Sequence, residues 1–288
     1  MSFLITFVNG LSLGGIYAMI ALGYTMVYGI AKLLNFAHGD IIMVGAYTIV
    51  VFATVNPILA IAAAVVMCVI FGIAIEKVAY KPLRGASPLA VLITAIGVSY
   101  LLQCLAQMIF GTQSKSAAIP NLGSFKIGEI SLKVSTIITL VCSIVIMVAL
   151  NLFIKYSKTG RAMVAVSEDK GAAQLMGVNV NCIIMITFAI GSALAALAGL
   201  FKILDGENVI TTFGALPGIK AFTAAVIGGI GSIPGAMLGG ILLGVIECIS
   251  LSVPVVAPYT NAIEFSILIV ILLVKPTGLL GKKRGEKV

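Results

Sequence analysis

Stretches of about 20 residues almost free of charge recur from one end of this chain to the other, and each is long enough to cross the ~30 Å hydrocarbon core of a bilayer as a helix. Read against Gly, Pro and charged breakers, they fall at residues 3–30, 41–55, 57–76, 89–110, 133–154, 183–204, 217–230, 235–252 and 260–274. Only 10% of the 288 residues are charged and 60% are hydrophobic, whereas a soluble domain carries about 25% charge. No water-soluble surface can be drawn from that composition. The chain is expected to be all-α, a single polytopic transmembrane helical bundle over 1–288 with about nine crossings, range eight to ten. The apolar N-terminal run Phe3–Phe7 is preceded by no Lys or Arg and followed by no small-residue cleavage site, so it is expected to be a retained span.

The net charge of +8 does not mark a nucleic-acid binder, because such a protein gathers its cations on one soluble face. Here they collect in linkers at 77–84 and 155–170 and in a basic tail, 275–288. Putting these with Lys32 on the cytoplasmic side leaves only Lys115, Lys126, Lys133, Lys202 and Lys220 of the 18 Lys and Arg near the other side. Positive loops stay in the cytoplasm. An N-out, C-in orientation follows, and it requires an odd number of crossings, so the short run at 217–230 is expected to cross rather than dip and return.

That run is the least regular part of the chain. Pro217-Gly218 opens it, and Gly228-Gly229-Ile230-Gly231-Ser232-Ile233-Pro234-Gly235 interrupts apolar sequence at membrane depth. Backbone freed by a break must be satisfied by protein or water, and broken helices recur at transport sites. An ordinary tight turn between two helices fits the same residues. Gly228, Gly229, Gly231, Ser232 and Pro234 are therefore candidates for a translocation pathway. Glu247, a carboxylate inside a span, joins them, either facing a cavity or paired with a Lys near water. Glu76 is expected to sit at a helix end beside Lys77, and Asp40 of His38-Gly39-Asp40 to cap a helix starting at Ile41. Small residues at helical intervals, such as Gly10/Gly14, Gly235/Gly239 and Gly240/Gly244, predict close helix packing.

The linker 155–182 is polar enough to leave the bilayer. Within it Ser167 is expected to cap a short surface helix with Glu168 and Asp169 in its first turn, Ala172, Leu175 and Met176 on one face, and Gly177 as the stop. Such a helix docks into a partner's groove or rests on lipid headgroups. The chain contains no phosphate-binding G-x-x-x-x-G-K-[ST] loop; the nearest stretch, Gly214 to Lys220, has the wrong spacing. With a single His and no clustered acid, base and nucleophile, no enzyme, cofactor or metal site is expected.

Four segments, Asn9–Ala18, Leu34–Asp40, Arg161–Gly177 and Lys220–Ala236, with the ending Lys275-Pro276-Thr277-Gly278-Leu279-Leu280-Gly281, together resemble the branched-chain amino acid permease family of bacterial ABC importers over nearly the full length. The resemblance implies a multi-pass inner-membrane permease working with a second related permease, two cytoplasmic ATPases and an extracytoplasmic solute-binding protein. It also implies that the linker 155–182 is the coupling loop. The E-A-A-x-x-x-G pattern of many importers has Gly171 here in place of its glutamate, followed by Ala172, Ala173 and Gly177. ATPase coupling is then expected from Glu168, Asp169, Ala172, Ala173, Leu175, Met176 and Gly177. Urea and amide permeases look similar. A gradient-driven transporter or channel for a small polar solute is the alternative, with Glu247, His38 and the broken segment as its coupling sites.

Overall fold

The computed structural model describes residues 3–119, 123–127 and 130–281. Along the chain run α1 (Phe3–Ala31), α2 (His38–Phe52), α3 (Pro57–Ile75), α4 (Pro88–Phe110), β1 (Ser124–Ile127), β2 (Ile130–Lys133), α5 (Val134–Tyr156), α6 (Lys158–Glu168), α7 (Lys170–Leu175), α8 (Val180–Leu204), α9 (Ala215–Gly228), α10 (Ile233–Ser252) and α11 (Thr260–Val274). Seven of the helical stretches are long and apolar enough to cross a membrane, and α2 and α9 are shorter apolar helices. The architecture is an all-α membrane bundle. The departures among the described residues are the antiparallel β1–β2 hairpin and an isolated Lys115–Val209 bridge, neither of which the run pattern signals.

Helix starts follow local chemistry. Asn56, Ser87, Ser157, Asp169, Asn179 and Ser232 each accept a backbone N–H bond at the head of a helix, and Pro stands in the first turn of α3, α4 and α10. Two expectations are corrected here. α2 begins at His38, not Ile41, because the turn from Asn35 already donates His38 N–H back to the Asn35 carbonyl at 3.1 Å. Asp40 thus lies inside the first turn, and its Oδ1 accepts from Gln103 Nε2 of α4 at 2.8 Å. In the linker, Ser167 belongs to the end of α6 and donates to the Val164 carbonyl, while Asp169 caps α7 through Gly171 N (2.8 Å) and Ala172 N (3.0 Å). A carboxylate in extended backbone just before the turn reaches both orphan N–H groups; a serine two residues earlier cannot.

The centre of the bundle is α1, buried along most of its length, with α10 antiparallel against it. Small residues permit the approach: a Cβ at Gly10 would stand 2.9 Å from Val245 Cα, and Gly14 and Ala18 meet Gly244 and Gly240 backbone to backbone. The two short helices, 15 and 14 residues, span only about 22 Å. They start beside one another inside the bundle, where a Cβ on Gly218 would come 3.0 Å from Gly39 Cα.

The two ends of the bundle differ. At one, Arg84 binds Glu76 and Asn181, tying the α3–α4 linker to the start of α8, and Lys170 Nζ donates to the Ala31 carbonyl at 2.9 Å. Glu76 stands at the end of α3 as expected, but it is buried and paired with Arg84 instead of reaching water or a Lys; a π-helical turn, Glu76–Tyr80, continues the chain from there. Burial, and then the neighbouring Arg84 charge, lower the Lys170 pKa from its ordinary value. The last described residues join this end through Leu279 N and Leu280 N, bonded to the Ile227 and Gly228 carbonyls at 2.8 and 2.9 Å; residues 282–288 of the basic tail lie outside the described residues. The opposite end carries the hairpin, a Lys115–Val209 bridge and a cavity.

Candidate functional site

A cavity of about 710 Å³ opens among the first half of α1, the start of α5, the segment after α8, the start of α9 and the end of α10. Its rim carries Lys133, 3.4 Å from Asp205, and Lys202, whose Nζ lies 2.7 Å from Glu207 Oε1 and 5.4 Å from the centre of the Phe213 ring. Asn9, Ser12, Thr136 and Thr139 add neutral polar groups to its wall.

At the cavity's inner wall three helices bring charge together. Lys220 of α9 donates to Glu247 Oε1 of α10 at 2.6 Å, and Tyr17 of α1 donates to Glu247 Oε2 at 2.7 Å. Behind them Glu264 of α11 is wholly buried, its Oε2 3.2 Å from Lys220 Nζ. Geometry explains the meeting of Tyr17 and Glu247. Long side chains on a helix lean toward its own N-terminus; in the antiparallel α1–α10 pair, that carries both toward the level where Gly14 packs on Gly244. Lys220 reaches the same place because Gly218 lets α9 settle on Gly39. Lys220 Nζ thus lies 2.6 Å from one carboxylate and 3.2 Å from the other, contacts without which its burial would be very unfavourable, and a single ammonium serves both.

Of the pathway residues singled out in the sequence, Glu247 lies on the cavity. Gly228, Gly229, Gly231, Ser232 and Pro234 form the α9–α10 turn at the opposite end. There Gly229 (φ +107°) lies against Thr277 and Gly281, Gly231 (φ +94°) faces Gly29, Ser232 caps α10 through Gly235 N at 3.2 Å, and Pro234 is in the first turn. A narrow cleft beside Gly231 is lined by Gly29, Ile154, Met163 and Ser167, so this turn adjoins α6. His38 is buried, edge-on to Tyr24 with ring centres 4.8 Å apart, and takes no part in the cavity.

In the linker, Glu168 ends α6, Asp169 caps α7, Ala172 follows in its first turn, Ala173 is buried within the chain, and Gly177 (φ +83°) ends the turn. Leu175 and Met176 stand out at 90% and 85% exposure. Tyr17, Lys220 and Glu264 were not recognised from sequence as one site. The signal in the sequence is Lys220 itself, a lysine inside an apolar run with two intramembrane carboxylates downstream, which counting loop charges alone passes over.

Residues 6–272 match a family described as branched-chain amino acid transport system, permease component. The high-affinity branched-chain amino acid transport system permease protein BraD of Pseudomonas aeruginosa is 44% identical over 98% of this chain and 96% of its own length. LivH of Escherichia coli, with the same description, is 42% identical over 97% and 96%. The fructose import permease FrcC of Rhizobium meliloti is 38% identical over only 30% of the chain and 26% of its own. Among solved structures, PsaBC from Streptococcus pneumoniae in complex with Fab superposes with a TM-score of 0.51, covering 93% of this chain and 91% of that one at 14% identity, a likeness of fold. By full-length similarity, the chain belongs to the family of branched-chain amino acid transport system permease components.

Proposed function

We propose that this chain is the inner-membrane subunit through which a branched-chain amino acid enters the cell, driven by ATP hydrolysed on separate subunits. The observation that carries this is the 44% identity to BraD over nearly the whole of both chains. The molecule's polarity supports it, with a charged cavity roomy enough for an amino acid at one end and an exposed apolar helix end at the other. In this reading the nine apolar helices cross alternately, N-out and C-in, and the cavity faces the solute-binding protein. The linker 155–182 faces the ATPases. Leu175 and Met176 enter a groove on an ATPase, Glu168 and Asp169 border it, and a second related permease completes the translocator beside this one. The α9–α10 turn from Gly228 to Pro234 lines the inner part of the route, next to α6, so that ATPase movement reaches it directly.

Uptake of labelled L-leucine, other amino acids and urea into vesicles bearing the assembled system tests this. Leucine uptake should require ATP and the solute-binding protein and should persist when ion gradients are collapsed. Uptake that needs a gradient and no ATPase would instead establish the gradient-driven alternative.

A further inference from the structure

The buried charge cluster has one ammonium between two carboxylates, and only part of it touches the cavity. Lys220, Glu247 and Tyr17 line the cavity, whereas Glu264 is not among its walls. Lys133 and Lys202, the other cavity cations, have their own carboxylates on the rim. Glu247 is therefore the exchangeable partner of Lys220, and Glu264 is the one that stays.

We propose that Lys220 and Glu247 form the headgroup site for a zwitterionic α-amino acid, Lys220 taking the carboxylate and Glu247 the ammonium; the assignment rests on the amino-acid reading above. The ligand enters by ion-pair exchange. Lys220 turns from Glu247 to the incoming carboxylate while Glu264 continues to hold it, and the vacated Glu247 Oε1 accepts the incoming ammonium. Tyr17 keeps Glu247 in place through Oε2. Charges then alternate along Glu264, Lys220, ligand carboxylate, ligand ammonium and Glu247, so neither buried cation loses an anionic neighbour. Separating Lys220 from Glu247 without replacement charges is strongly unfavourable, and an uncharged amide such as urea brings none. Selection for a zwitterion is thus built into the pair. Leu13, Ile16, Phe213, Leu216 and Leu251 supply apolar wall for the side chain, and about 710 Å³ falls in the 300–1,000 Å³ range of small-molecule sites.

The test uses the complete system in vesicles, with the triple variant K220M/E247Q/E264Q, which removes all three charges at nearly constant volume. An ion cluster that serves packing alone tolerates such neutral replacement, so assembly should be retained while leucine uptake falls at least tenfold. Wild-type uptake by the assembled variant would overturn the site. Should the variant fail to assemble, Cys248, a cavity-wall thiol next to Glu247, decides the matter in a complex whose Cys68, Cys104, Cys142 and Cys182 are replaced by alanine. L-Leucine should slow its reaction with a small water-soluble methanethiosulfonate several-fold, and isocaproate, lacking the ammonium, or isoamylamine, lacking the carboxylate, should not. Equal rates with and without leucine, equal protection by either analogue, or no reaction at all would overturn the proposal. A wild-type system that moves urea and not leucine would remove the amino-acid reading first, and the site with it; leucine uptake that survives in the assembled triple variant removes the site alone.

Discussion

Single glycines set how closely the helices of this bundle approach, and they do not contribute equally. Gly244 lies directly against the Gly14 backbone, whereas Gly97 on α4 has open space where a Cβ would stand. Gly244→Leu should therefore destabilise the purified chain by about 1–3 kcal/mol through overpacking, lowering its thermal midpoint in detergent; Gly97→Leu should leave it unchanged. Equal effects would mean that α1 and α10 do not pack as described. Gly231 poses a different problem because its φ of +94° strains any side chain by about 1–3 kcal/mol. With the turn on the inner route, an assembled Gly231→Leu variant should lose most uptake. Normal uptake by that variant would take the turn off the route. The spacing of these glycines was readable in the sequence, but which surface each one faced was not, since an interval of four names a helix face and leaves its partner open.

Among the elements, α7 and the linkers around it carry the sharpest expectations. Leu175 and Met176 are exposed and Ala173 is buried in its own chain, so substitutions within a single turn should act differently. L175D/M176D should leave the isolated permease as stable as wild type and reduce ATPase co-purification by roughly tenfold or more, the effect of desolvating a polar group at a cost of about 1–3 kcal/mol. Ala173→Asp should instead destabilise the linker itself. Undiminished co-purification of L175D/M176D would leave this helix resting on lipid headgroups. At the same end, Arg84→Gln strands the buried Glu76, a loss of about 3–5 kcal/mol when one partner of a buried pair is removed. E76Q/R84Q should recover most of it, as read by thermal unfolding of the detergent-solubilised chain. The amphipathic linker, its stop at Gly177 and the surface position of Leu175 and Met176 could be read from the chain, because face periodicity is local; the cap could not, since it is Asp169 and not Ser167 that reaches the free N–H groups. The Glu76–Arg84 pair could not, because it depends on how the α3–α4 linker folds back, with Arg84 also bound to Asn181 of α8.

At the scale of the whole molecule, the proposed nine-crossing orientation predicts that cysteines at Ser157 and Lys283 react with impermeant thiol reagents only from the cytoplasmic side and one at Ser114 only from outside. Lys283 lies outside the described residues, so its labelling tests the basic tail independently of the helices. External reaction there would reverse the scheme. Sequence alone determined that the chain is a membrane bundle, where most of its helices begin and end, and which family's motifs it carries. These properties follow from hydrophobic run length, breakers and caps, which act over a few neighbouring residues. Only tertiary structure decided that Lys220, Glu247 and Tyr17 meet on the wall of a cavity with Glu264 buried behind them, while Gly228 to Pro234 lies at the far end. The physical reason is that a charge inside a bilayer must find a partner, and the sequence states the need without naming the helix that meets it; the packing of α1, α9, α10 and α11 supplies that answer.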